Sequence, residues 1–387
     1  MHIGIACMWL FIVFISCGGS DAKQSDVQQS VEEADQSFAL GADIGWCTEY
    51  EAQGSKFYNR EGHPRECTAL MKELGLNAIR MRVWVDPGKH GSWCNLTDVV
   101  EKAQRAKAHN MDVMLDFHYS DWWADPAQQH KPSAWKGLDV FALKKAIYQH
   151  TCEVLNALKQ VGVTPKWVQV GNEIRSGMLW DEDVQLSGAS YDVRYCDVKD
   201  SPNSSQEVQY PENWSNLAAF INEGYEAVKS VFPESIVIVH LDNGWDTELF
   251  HWFFEELKKQ GGKWDMIGMS VYPYWTQLAK PDYQADDIIA DCIKNINALS
   301  EKYGCDVMVV ETGMECADAH GKLAADEVLL EGKRQLSHLL HECRTKTHGR
   351  CKGVFYWEPE CKPSQYRLGA FTEDGVPTVI MEAFRGL

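Results

Sequence analysis

From residue 38 onward, short and nearly continuous apolar runs alternate with longer segments whose apolar positions recur every third or fourth residue. The short runs have the length and β-branched content of buried strands, and the longer ones have the period of amphipathic helices. Strands are expected at Phe38–Trp46, Asn77–Val85, Met111–His118, Lys166–Glu173, Ser235–Leu241, Trp264–Val271, Cys305–Glu311 and Gly353–Trp357. Helical patterns fall between them at Thr97–Asn110, Val140–Val161, Glu212–Phe232, Thr247–Gln260, Asp286–Tyr303 and Leu323–Thr347. Eight strand–helix units in one chain predict a closed α/β architecture, a (β/α)₈ TIM barrel. An open doubly wound sheet is the competitor, but no strand is followed by a glycine-rich phosphate turn.

Polar side chains gather where these strands end: Asp43, Asp116-Phe117-His118, Asn172-Glu173, His240-Leu241-Asp242-Asn243, Tyr272, Glu311 and Trp357-Glu358. The C-terminal strand ends of such barrels carry the active site. Strands four and seven face each other across the mouth, so Glu173 and Glu311 can approach one ligand from opposite sides. Two carboxyl groups about 5–5.5 Å apart are what glycoside cleavage with retention needs. One must stay protonated to assist the leaving group, and the other must be ionised to attack the anomeric carbon. An unpartnered carboxylate at the end of an apolar strand would be costly, which argues against incidental placement. Arg80 and Arg82 share one parity and should both point into the barrel.

Asn172-Glu173-Ile174 and Val309-Val310-Glu311-Thr312-Gly313 resemble the corresponding strand ends of clan A glycoside hydrolases. That resemblance implies Glu173 as acid/base, Glu311 as nucleophile and Asn172 as the group holding the sugar 2-hydroxyl. It narrows to glycoside hydrolase family 53 on several motifs. These are Arg80-Met81-Arg82-Val83-Trp84-Val85, Phe117-His118-Tyr119-Ser120-Asp121-Trp122-Trp123-Ala124-Asp125-Pro126, Gly171-Asn172-Glu173-Ile174-Arg175, His240-Leu241-Asp242-Asn243-Gly244-Trp245 and Phe355-Tyr356-Trp357-Glu358-Pro359. They run in family order over residues 40–360. Members of the family are endo-β-1,4-galactanases, so the resemblance implies internal cleavage of the galactan in type I arabinogalactan. Another clan A endoglycanase, a mannanase or glucanase, is the alternative enzyme, and the strand-three motif argues against it. A non-catalytic glycan-binding lipoprotein would be expected to have lost one of the carboxylates.

The same resemblance suggests that Arg80 pairs with the nucleophile and keeps its pKa low, while a structural ion pair elsewhere stays equally open. Tyr272 ends strand six, where the clan places a donor to the nucleophile; a core tyrosine is the other reading. His118 and His240 either meet sugar hydroxyls or serve the scaffold. Asp121, Trp122, Trp123 and Asn243 are candidate substrate-binding or supporting residues. Trp357 is the expected stacking platform for the sugar being cleaved, with Trp84, Trp122, Trp123 and Trp275 lining further subsites. The loop Ser176–Pro211 is longer than in compact members. The stretch after Glu311 lacks the longer loop in which some members hold calcium, so no metal or other cofactor is expected.

The chain has 387 residues, 45% of them hydrophobic, enough for one barrel over residues 38–387 and a monomeric enzyme. Its formal charge of −19 repels nucleic acid and polyanionic glycans and suits a neutral galactan. Thirteen cysteines include no Cys-x-x-Cys pair, so a zinc ribbon is not indicated, and pairing is not readable. Ile3–Ile15 is apolar but too short to span a membrane. It leads into Ser16-Cys17 and the polar Gly18-Gly19-Ser20-Asp21, an arrangement that resembles a bacterial lipobox. The expectation is a signal peptide over 1–16, a lipid on Cys17 holding the protein to a membrane, a polar tether over 17–37, and a location at the cell envelope or surface. An ordinary cleaved signal peptide is the alternative.

Overall fold

A computed structural model describes residues 38–180 and 210–385. The expected signal segment, Cys17, the expected tether and most of the expected loop Ser176–Pro211 lie outside the described residues. Each expected strand is present, with ends moved by a few residues: β1 (Ala39–Asp43), β2 (Ala78–Val83), β3 (Asp112–Phe117), β4 (Trp167–Val170), β5 (Ile236–Leu241), β6 (Met266–Val271), β7 (Asp306–Thr312) and β8 (Cys351–Tyr356). They pair in parallel in chain order, and β1 closes against β8 to complete the barrel.

The six long helices also match their expected positions: Leu96–Ala108, Val140–Gln160, Tyr210–Val231, Thr247–Lys259, Ala285–Tyr303 and Asp326–Thr345. Side-chain caps start several of them: Asn95 accepts from the Asp98 N–H, Asp139 from Ala142 and Asp246 from Leu249. Three short helices, Cys47–Ala52, Cys67–Glu73 and Pro273–Ala279, escape a periodicity reading, as does the hairpin pairing Phe57–Tyr58 with Pro64–Arg65. Two turns or fewer give a 3.6-residue pattern too little length to show.

The barrel interior is layered. Its lower part is apolar, packed from Ala39, Ala78, Met114, Trp167, Ile238, Met266, Met308, Val310 and Phe355. The Phe355 ring lies so close to Gly41 that a Cβ placed there would sit 2.1 Å from a ring carbon. Two residues further along, the same inward parity delivers a buried polar layer: Arg80 after Ala78, Asp116 after Met114, Gln169 after Trp167, His240 after Ile238 and Ser270 after Gly268. Strand β7 breaks the alternation. Met269 of β6 pairs with Val309, but the next residue, Ser270, pairs with Glu311. On the other side Val354 of β8 pairs with Val309 and Tyr356 with Thr312. The extra residue is a bulge, so Val310 fills the apolar core while Glu311, its neighbour, also turns inward.

The ten described cysteines are free thiols, eight of them buried. Gly41→Ala should test the tightness of the lower layer. The methyl group would push into the Phe355 ring, and overpacking of this kind costs about 1–3 kcal/mol. Urea denaturation should show a loss of that size; an unchanged midpoint would mean that the ring is free to move aside.

Candidate active site

Arg80 stands at the centre of the polar layer and is fully buried. Its Nη1 donates to Asp43 Oδ2 at 2.7 Å, and its Nη2 donates to Asp116 Oδ2 at 2.8 Å. The same Nη2 lies 3.0 Å from Asn172 Oδ1, 3.2 Å from Gln169 Oε1 and 2.9 Å from Glu311 Oε1. Tyr272, at the end of β6, donates its hydroxyl to the other Glu311 oxygen at 3.0 Å. Burial pushes the Glu311 carboxyl up, and Arg80 and the Tyr272 hydroxyl pull it back against the push of Asp116. The net direction is upward, which corrects the expectation that pairing with Arg80 would leave this pKa low. Desolvation outweighs the guanidinium, because Arg80 divides its charge among three carboxylates.

Glu173 follows β4 in a left-handed conformation, φ 47° and ψ 51°, which is uncommon for a residue with a Cβ. Its Oε1 accepts from Ser270 Oγ at 2.5 Å, and its peptide N–H faces His240 Nδ1 at 3.4 Å. Burial, then the negative charges of Glu311 and Asp242, hold its carboxyl well above the usual range, opposed by the Ser270 hydrogen bond. Both glutamates are raised, but only Glu311 touches a cation. The two carboxyls thus sit in unlike surroundings, Glu311 on the Arg80 guanidinium and Glu173 on the Ser270 hydroxyl.

Asn172 accepts from Arg80 and donates Nδ2 to the Ala124 carbonyl at 2.7 Å, which leaves one amide hydrogen for a ligand. The histidines are fully engaged within the protein. His118 Nδ1 accepts from Trp84 Nε1 at 3.2 Å and from the Ala124 N–H at 3.1 Å, so its Nε2 carries the hydrogen and donates to Asp116 at 3.0 Å. His240 is enclosed by Gln169, Asn172, Glu173 and Ser270, and burial holds it neutral, well below its ordinary pKa. Neither ring has a nitrogen left for a sugar hydroxyl, so both support the site from behind.

The aromatic residues form one wall. Trp123 lies 5.6 Å from Trp46, 5.2 Å from Trp84 and 5.7 Å from Trp357, measured between ring centroids. Arg82 sits behind it, 4.4 Å from the Trp123 centroid and ion-paired with Glu358. Glu358 also accepts the backbone N–H groups of Gly45 and Trp46, at 2.9 and 3.1 Å, which ties the β1 loop to the β8 end. Trp357 is half-buried and backed by Tyr366. Trp122 is half-buried and stacks on His90, while Trp275 packs on Tyr274. Trp84 is 2% exposed beneath Trp122 and Trp123 and presents no face to a ligand, contrary to its expected place in a subsite.

Asp121 and Asn243 act on the backbone around the site. Asp121 accepts from the N–H groups of Asp86 and Ser133, and Asn243 donates to Asp242, the partner of Arg175. The sequence reading missed Gln169, Ser270 and Gln129, whose amide reaches the Asn172 carbonyl at 2.7 Å. For the first two the signal was present: a polar residue at an inward position of an otherwise apolar strand. Among the described residues, no group of three or more His, Cys, Asp or Glu side chains is arranged to hold a metal ion.

The model of Glycosyl hydrolase family 53 matches residues 39–377. The chain is 36% identical over 365 residues to a Niallia circulans protein described as "Uncharacterized protein in bgaB 5'region", covering 91% of this chain and 92% of that one. It is 29% identical over 320 residues to the arabinogalactan endo-beta-1,4-galactanase of Thermothelomyces thermophilus, covering 80% and 85% of the two chains. Among solved structures, the Ignisphaera aggregans GH53 catalytic domain superposes with a TM-score of 0.73 at 26% identity, over 90% of this chain and 96% of that one.

Removal of the central cation tests how far the site depends on it. Arg80→Met would strand Asp43, Asp116 and Glu311 in a dry interior. Breaking a buried pair from one side costs about 3–5 kcal/mol. Chemical denaturation at neutral pH should show that loss, and it should shrink at lower pH as the stranded carboxylates protonate.

Proposed function

The chain belongs to glycosyl hydrolase family 53, and on that premise we propose that it cuts internal β-1,4 bonds of galactan with retention of anomeric configuration. The reading rests on one observation above all. Two carboxyl groups stand at the ends of β4 and β7: Glu311 is buried against the Arg80 guanidinium, while Glu173 is half-buried and its carboxyl is pushed upward by burial and by the charges of Glu311 and Asp242.

In this reading the Glu311 carboxylate attacks the anomeric carbon as Glu173 passes its proton to the departing glycosidic oxygen. The glycosyl–Glu311 ester is then hydrolysed by a water whose proton Glu173, now ionised, takes up. Arg80 and Tyr272 aim the nucleophile and bear its charge, and Asn172 has an amide hydrogen to offer a neighbouring hydroxyl. The half-buried Trp357 provides a stacking surface for the apolar face of a galactose ring. Further aromatic residues stand on the loop after β3 (Trp122, Trp123) and on the short helix after β6 (Tyr274, Trp275), strands three apart around the barrel. That spread favours a chain lying across the mouth, hence internal attack. The charge of −19 suits a neutral polymer, and the name of the Thermothelomyces relative agrees with galactan as substrate.

Digestion of linear β-1,4-galactan should give an early spread of galacto-oligosaccharides with rapid loss of chain length. NMR should find the first-formed anomer unchanged. Release of galactose alone from the start, or an inverted product, would sink this mechanism. Activity should be bell-shaped in pH, with the acid limb following ionisation of Glu311 and the alkaline limb deprotonation of Glu173. Glu173→Gln should lower turnover by about 10²–10⁴-fold, and Glu311→Gln should lower it at least as much.

For location, we propose that residues 1–16 direct export in a bacterial host and that Cys17 is lipidated, with 17–37 as tether. The support is the apolar run ending in Ser16-Cys17 and the polar stretch that follows. Full-length protein should sediment with membranes and Cys17→Ala should not, since two or more acyl chains anchor stably. Wild-type protein that stays soluble, with no lipid on Cys17 by mass spectrometry, would exclude the anchor.

A further inference from the structure

Ser270 lies behind Glu173, at an inward position of β6 that none of the family motifs includes. Its hydroxyl is buried between two partners, Glu173 Oε1 at 2.5 Å and His240 Nε2 at 2.8 Å. A hydroxyl has one proton to give, so the direction of these two bonds depends on which nitrogen of His240 carries hydrogen.

That choice is made by charges deeper in the barrel. Gln169 Oε1 accepts from Arg80 and its Nε2 donates to Asp116, so the amide cannot be turned round. The second Nε2 hydrogen then faces His240 Nδ1 at 2.9 Å, and the Glu173 N–H faces the same nitrogen at 3.4 Å. Asn172 Oδ1, 3.0 Å from that nitrogen, already accepts from Arg80. With two donors aimed at Nδ1, the neutral imidazole holds its hydrogen on Nε2 and donates it to Ser270 Oγ. The Ser270 hydroxyl must then donate to Glu173 Oε1.

Building on the reading of Glu173 as acid/base, we propose that Ser270 is a positioning residue that seats the Glu173 proton on Oε2, the oxygen left to face the substrate. An oxygen accepting so short a bond does not also hold the acid proton. The arrangement runs from Arg80 and Asp116 through Gln169, His240 and Ser270 to the acid, so the cluster that binds Glu311 also orients Glu173. The same hydroxyl stabilises Glu173 once it is ionised. The other groups acting on Glu173 are Glu311, Asp242 and Asp125, with Tyr272 and Tyr366 nearby.

The test compares wild type, Ser270→Ala and Ser270→Thr on galactan and on a dinitrophenyl β-galactobioside, whose leaving group needs no proton. Loss of a hydrogen bond to a charged group should lower kcat/KM on galactan about 10-fold or more in Ser270→Ala. On the activated substrate kcat/KM should change little. The alkaline limb on galactan should move to higher pH, because the ionised form has lost a donor. Ser270→Thr should restore both the rate and the limb. Equal losses on the two substrates with an unmoved limb would reduce Ser270 to a packing role and overturn the proposal. An active wild type matched by Ser270→Ala would overturn it and leave the galactanase reading standing, whereas a wild type inert on galactan would overturn both. Independently of any variant's folding, ¹⁵N NMR of the wild-type histidines should find His240 as the Nε2–H tautomer, and the Nδ1–H form would refute the inference.

Discussion

Arg80 carries a charge that it cannot give up, in a place that water does not reach. A buried guanidinium is tolerated only where carboxylates and hydrogen-bond acceptors replace its hydration. Here the partners come from several strand ends: Asp43 from β1, Asp116 from β3, Gln169 and Asn172 from β4 and its continuation, and Glu311 from β7. None of these strands can shift register without leaving the cation or one of its partners alone. Barrel closure and site assembly are thus coupled through one side chain. The division of its charge among three carboxylates also explains why the Glu311 carboxyl is pushed up by burial despite its pairing.

A second buried cation, Arg82, does comparable work for the aromatic wall. It pairs with Glu358 and lies against Trp46, Trp84 and Trp123, so the indoles that shape the mouth are backed by charge as well as by packing. The strand ends around this wall carry backbone strain. Tyr119, Glu173, Asn243 and Glu358 all have positive φ, between 47° and 53°. Such conformations persist where surrounding bonds over-determine them. Glu358 is held by Arg82 and the N–H groups of Gly45 and Trp46. Glu173 is held by Ser270 and His240. At Glu173 the sharp turn lets the carboxyl leave the strand direction and face the mouth.

Much of this was legible in the residues. Strands buried on both faces read as apolar runs, and long helices between them read as a 3.6-residue period, so the barrel and its order of elements followed. The two glutamates stood out because they end apolar strands. What supports them was harder to see. His118 and His240 look like ligand-binding residues in a motif, and only their full set of partners shows that they face inward to the protein. Gln169 and Ser270 break no local rule loudly enough to be noticed, although each is a polar residue at a core-facing position.

The sequence by itself determined the architecture, the polar rim and the place of two glutamates at the ends of strands four and seven, because hydrophobic periodicity and strand-end chemistry are local properties of the chain. It did not determine how Glu311 reaches the site. Strict alternation with Met308 and Val310 inside would turn Glu311 outward. The bulge in β7, where Ser270 pairs with Glu311 and Val310 is passed over, reverses that orientation. Nor did it determine how unlike the surroundings of the two carboxyls are. Burial raises both, but Arg80 stands 2.9 Å from Glu311 alone of the two. Desolvation and Coulomb interaction act through space between residues distant in the chain, so only the closed barrel could decide them.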